Sequence, residues 1–132
     1  MKKNLLSLIL IICLAAFCLG GCASKEPVNR KLTVSYRTWS EMGGSNYDPI
    51  IYSPVEKGTE IYNGYFSTVT VKSVTDEKIV FAVDGCLVEP NEDGTINMNK
   101  DPLKKVTLGV GESIELVSQT MDGGVKVFLS FE

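Results

Sequence analysis

From Leu32 to Phe131 the apolar side chains return at alternate positions, in short bursts separated by Gly, Asn, Asp or Pro. A period of two belongs to an extended strand, whose successive side chains point to opposite faces, and it does not line one face of a helix. Leu32, Val34 and Tyr36 share one face while Thr33, Ser35 and Arg37 share the other, which predicts a half-buried strand over 32–37. Residues 40–49 read as a polar loop, and Ile50–Ser53 as a short strand stopped by Pro54. Thr59–Tyr62 predicts another strand, Asn63-Gly64 a turn, and Tyr65–Val74 ten residues of alternation. Thr75-Asp76-Glu77 then links to Lys78–Val83, where Ile79, Phe81 and Val83 point one way, so 65–83 predicts a hairpin.

The pattern continues. Leu87-Val88-Glu89 begins a shorter arm, and Thr95–Met98 follows the Pro90–Gly94 turn. Lys104–Val110 presents Val106, Leu108 and Val110 on one face, and Ser113–Val117 turns Ile114 and Leu116 inward. After Asp122-Gly123-Gly124, residues Val125, Val127, Leu129 and Phe131 share a face. Seven to nine short strands of this kind predict an all-β fold: a small antiparallel β-sandwich, immunoglobulin-like or similar, with a small β-barrel as the alternative. No sustained helical period occurs after residue 22, and no internal repeat is visible.

The N-terminus has a different character. Lys2 and Lys3 precede Leu5–Leu19, which is apolar except for Ser7. That apolar run is shorter than the roughly 18–20 residues a membrane-spanning helix needs. Basic, then apolar, then small residues is the layout of a secretory signal. Leu19-Gly20-Gly21-Cys22 places an aliphatic residue and two small ones directly before a cysteine. Cys18 lacks this context because Phe17 precedes it, and Cys13 lies within the apolar run. Residues 1–22 therefore resemble a bacterial lipoprotein signal peptide. The resemblance implies cleavage between Gly21 and Cys22, lipid chains on Cys22, and a protein held at the extracytoplasmic face of the bacterial cell envelope. Two or three chains hold firmly, since each buried methylene contributes about 0.8 kcal/mol and one chain alone is marginal. The expected organisation is a signal over 1–21, the lipidated Cys22 with a polar tether over 22–31, and one β-domain over 32–132.

Cleavage there leaves 111 of the 132 residues and removes two of the 13 basic ones, so 11 basic residues face 16 acidic ones. A net charge near −5, without a basic run, argues against nucleic acid as a partner. The expected membrane contact is the lipid alone.

Histidine is absent, which excludes a Ser-His-Asp triad, a Cys-His pair and a histidine-bearing zinc site. Neither S-x-x-K nor a phosphate-cradling glycine loop occurs. A carboxylate-only enzyme would need two acids facing each other across a sizeable cleft. The expectation is a non-enzymatic domain without a cofactor or metal. Cys86 stands alone after the anchor, between Asp84-Gly85 and Leu87-Val88, and reads as a small buried hydrophobe.

Two constellations remain. Glu89–Lys100 has Asn91, Asp93 and Gly94 spaced as in an EF-hand calcium loop. Glu89 opens it where Asp is usual, Lys100 closes it where a bidentate Glu belongs, and flanking helices are missing, so a polar turn is the expectation. The second constellation is aromatic. All five tyrosines (Tyr36, Tyr47, Tyr52, Tyr62, Tyr65) and the single tryptophan, Trp39, fall between residues 36 and 65. Amphipathic rings beside amides and carboxylates suit a protein partner or a sugar face. Trp39, Tyr47, Tyr52, Tyr62 and Tyr65 are the candidate binding surface, for a protein or a cell-wall glycan. A glycan module is expected to show Trp39 coplanar with a tyrosine on an exposed face.

Overall fold

The structure, a computed structural model, describes residues 28–132. The expected signal peptide, the Gly21–Cys22 cleavage point, the lipidation of Cys22 and the tether as far as residue 27 lie outside the described residues. Among the described residues there are nine strands and no helix. They are β1 (Leu32–Ser40), β2 (Ile50–Tyr52), β3 (Glu60–Gly64), β4 (Ser67–Val74), β5 (Lys78–Asp84), β6 (Leu87–Val88), β7 (Lys105–Gly109), β8 (Ser113–Ser118) and β9 (Gly123–Phe131). One antiparallel sheet runs β2-β1-β9-β8-β6 and the other β3-β4-β5-β7. The sheets do not join into a closed ring, so the fold is a sandwich and not a barrel.

The alternation explains the layering. Leu32 and Val34 of β1, and Val125, Val127, Leu129 and Phe131 of β9, are fully buried on one inner face. Val69, Ile79, Phe81, Val106 and Leu108 of the second sheet meet them. Each such side chain contributes about 1.5–3 kcal/mol by leaving water. β1 and β9 form the spine, paired from Leu32↔Phe131 to Ser40↔Gly123. Lys31 and Glu132 close one end of the spine, through two backbone hydrogen bonds of 2.9 Å and a side-chain ion pair.

Several expectations change in detail. Asn63-Gly64 is not a turn: both residues belong to β3, and the two-residue connection is Tyr65-Phe66. Turning at Asn63-Gly64 would set Tyr62 opposite Tyr65, whereas the observed register sets it opposite Val69 in the core. Burial outweighed local turn preference. The strand expected over 65–74 starts at Ser67, and its alternation breaks where Lys72 bulges out between Val71↔Phe81 and Ser73↔Val80. That one-residue insertion turns Val74 toward the core. Residues 95–98 form no strand; Gln119 Nε2 holds this loop by donating to the carbonyls of Asn97 and Lys100, at 2.8 and 2.6 Å. Val110 lies past the end of β7 and is exposed. Cys86 is half-buried, not buried.

Candidate functional site

The open side of the sandwich between β1–β2 and β3 holds a cleft of about 240 Å³. Tyr36, Thr38, Tyr47 and Ile50 line one wall; Ile61, Tyr62, Asn63, Gly64 and Tyr65 line the other. Four of the five tyrosines therefore meet at one place.

Each wall has a local cause. Tyr36 and Thr38 continue the inward face begun by Leu32 and Val34. The chain then doubles back beside β1: Thr38 N–H donates to the Ser45 carbonyl at 2.9 Å and Tyr47 N–H to the Tyr36 carbonyl at 3.1 Å. This return lays the Tyr47 ring against Tyr36, with centroids 4.5 Å apart and planes 28° from parallel. On the other wall, Glu60 opposes Thr70 while Tyr62 opposes Val69, so Ile61 is an inserted residue. The bulge lets Ile61 and Tyr62, adjacent in sequence, both turn inward. Tyr62 meets Tyr36 edge-on, 5.8 Å away at 64°. Such aromatic pairs contribute about 0.5–1.5 kcal/mol each beyond the area they bury.

Tyr62 is the deepest of the four. Burial, and then the neighbouring Tyr65, Tyr36, Cys86 and Tyr47, push its pKa up to about 12, so its phenol stays neutral at any physiological pH. Gly64 leaves space above it, because a Cβ there would come within 3.0 Å of the Tyr62 hydroxyl. Glu60 is drawn aside, its carboxylate accepting from Asn63 Nδ2 at 3.0 Å. No charged side chain lines the cleft. The lining offers aromatic faces, two aliphatic side chains, hydroxyls and one amide. It can bind an uncharged group, and it contains no pair of acids to act on one.

At the rim, Tyr65 and Phe66 have φ of +45° and +57°. Two central residues with positive φ characterise the hairpin turn that favours Asn-Gly. For residues bearing a Cβ this costs about 1–2 kcal/mol each. Neither ring recovers that cost by burial in the core: Tyr65 is 43% exposed and Phe66 93%.

Of the surface expected from sequence, Tyr47, Tyr62 and Tyr65 come together, joined by Tyr36. Tyr52 does not join them; it lies at the far end of β2 opposite Leu32, packed against the core. Trp39 lies on the outer face of β1, across from Gly124. Its indole Nε1 is buried without a partner. The coplanar arrangement of Trp39 with a tyrosine is therefore not formed, and a sugar face built on Trp39 is overturned, because one residue of alternation puts that ring on the sheet's other side. Sequence reasoning missed Thr38, Ile50, Ile61, Asn63 and Gly64. Thr38 was visible as the next residue on Tyr36's face, but the bulge that brings in Ile61 left no sequence signal.

The other candidates are ordinary structure. Asp93 caps its own turn, its Oδ1 accepting from the Thr95 N–H and hydroxyl at 3.0 and 2.6 Å, which holds its carboxyl below the usual range. Asn91 N–H donates to the Thr95 carbonyl at 2.9 Å, completing a polar turn. Among the described residues no cluster of three acidic, histidine or cysteine side chains is arranged to hold a metal. The Cys86 N–H donates to Ser67 Oγ at 3.1 Å, tying the 85–86 crossover to the start of β4. No known family, curated protein or solved structure matches this chain.

Proposed function

We propose that the protein is a lipid-anchored, extracytoplasmic binding protein of the bacterial envelope, whose non-enzymatic β-sandwich takes its ligand in the tyrosine cleft. The observation that carries the binding half is the convergence of four tyrosines, from three separate chain segments, around an open cleft with no charged lining. A core uses rings by covering them; here Tyr47 and Tyr65 are left nearly half exposed. The anchoring half rests on Leu19-Gly20-Gly21-Cys22 behind its basic and apolar leader. A protein or a cell-wall component is the partner class. The depression around Phe128, on the outer face of the β2-β1-β9-β8-β6 sheet, is larger at about 320 Å³, but three serines and a threonine line it beside Ile114, Glu115 and Leu129, with no aromatic cluster.

Both halves are testable in cells. Labelling with a radioactive fatty acid is expected to mark the wild-type protein and to be lost in Cys22→Ala. A photoreactive phenylalanine analogue in place of Tyr65 is expected to form a discrete envelope adduct. The same analogue in place of Thr107, exposed on β7, is expected to form none. Gly64→Val, which fills the cleft, should abolish the Tyr65 adduct. Equal adducts at both positions, or an adduct indifferent to Gly64→Val, refute the cleft as the binding site.

A further inference from the structure

We infer that the ligand of the cleft is an uncharged sugar ring, held by the tyrosines without Trp39, and that the Tyr65-Phe66 turn is the lip that grips it. This rests on the cleft being the binding site. The lining decides the chemistry. A charged ligand would leave water for a surface with no opposite charge. An apolar side chain would strand the phenol and threonine hydroxyls without partners. A pyranose has an apolar C–H face and a rim of neutral hydroxyls, which matches rings flanked by hydroxyls and an amide. At about 240 Å³ the cleft is below the range of roughly 300–1,000 Å³ that encloses drug-sized molecules, so it holds one ring at a time.

The backbone points to the lip independently. A two-residue turn with positive φ at both positions favours Asn-Gly, yet this one carries Tyr65 and Phe66 while Asn63-Gly64 stands unused just before it. At Phe66 the strained choice gives the fold nothing in burial, since that side chain is 93% exposed, and at Tyr65 the ring is covered only where it forms the cleft wall. Strain of this kind persists at ligand clamps. Tyr65 forms part of the cleft wall, and Phe66 is the next residue of the same turn, its ring free in solvent. The residues at 65 and 66 serve recognition at the expense of the hairpin.

The test is a double substitution, Tyr65→Asn with Phe66→Gly, in the full-length protein in detergent. Neutral oligosaccharides (chito-, cello-, xylo- and malto- series) and an anionic galacturonate series are titrated calorimetrically. At least one neutral series is expected to bind, and the anionic series is not. The double variant should melt about 5 °C higher, because the new residues suit the turn, and should bind the sugar at least tenfold more weakly. Wild-type protein that binds no neutral series, or only the anionic one, overturns the sugar assignment. A variant that binds as wild type, or melts lower, overturns the role of the lip. If the photo-adduct at Tyr65 forms while no sugar binds, the cleft stands and the ligand class fails. Loss of both removes the two together.

Discussion

Gly124→Ala should destabilise the sandwich by about 3 kcal/mol, although glycine-to-alanine changes in extended backbone commonly stabilise. The favourable part is about 0.4–1 kcal/mol, from reduced freedom of the unfolded chain. Against it stands the space around Gly124, where a Cβ would lie 2.0 Å from Ser118 Oγ, 2.5 Å from Thr120 Oγ1 and 3.1 Å from Trp39 Cζ2. Ser118 is fully buried, and its Oγ accepts from the Val125 N–H at 2.9 Å. Displacing it strands that N–H, at about 1–3 kcal/mol, and the crowding adds about 1–3 kcal/mol. The opposing terms leave a clear sign. For a domain near 100 residues each kcal/mol moves the melting temperature by about 4 °C, so a fall of about 12 °C is expected. Thermal melts followed by circular dichroism will read it. Gly109→Ala is the matched control, since its Cβ would meet only the movable Glu112 carboxylate at 3.3 Å, and it should shift by less than about 2 °C. Equal shifts in the two variants, or an unchanged Gly124→Ala melt, would refute the packing described beneath Trp39.

Two further expectations concern the site and the core. Tyr62 has its pKa raised to about 12 in the folded state from 10.0, so the unfolded chain releases that proton first. Its contribution is complete below pH 10 and is lost as pH rises toward 12. The upper limit is about 1.4 kcal/mol per pH unit, reduced to about 1 kcal/mol in all by water at the cleft mouth. In urea titrations from pH 8 to 11.5 wild type should lose stability relative to Tyr62→Phe as pH rises; a constant gap contradicts the assignment. Phe81→Ala, at a fully buried position, should cost about 3–5 kcal/mol. The same change at Phe66 should stay within about 0.5 kcal/mol, and equal losses by chemical denaturation would argue against the assigned faces.

The sandwich was legible because each inner face depends on a simple period. Val125, Val127, Leu129 and Phe131 fall inward where alternation puts them, and so do Ile79, Phe81 and Val83. Reading failed where one residue was inserted. The bulges at Ile61 and Lys72 reverse the faces downstream of them, and nothing in their composition announces it. The turn failed for a related reason: Asn63-Gly64 is a strong local signal, but it lost to the pairing of Tyr62 with Val69. The aromatic crowding between residues 36 and 65 was visible, whereas its division was not. Trp39 is one residue past Thr38, and one residue in a strand is the difference between two faces.

The pairing of β1 with β9 also sets how the domain bears tension. The proposed anchor precedes β1, and the cleft's Tyr36 and Thr38 lie toward its other end, so a ligand fixed elsewhere in the envelope would pull β1 along its own axis. The share of that pull taken by the β3 wall reaches β1 through its neighbours, parallel to the strand and across the nine residue pairs from Leu32↔Phe131 to Ser40↔Gly123. Those contacts are sheared together and do not peel apart in turn. The strand that brings Tyr36 and Thr38 to the cleft is thereby the part of the chain best placed to resist extraction.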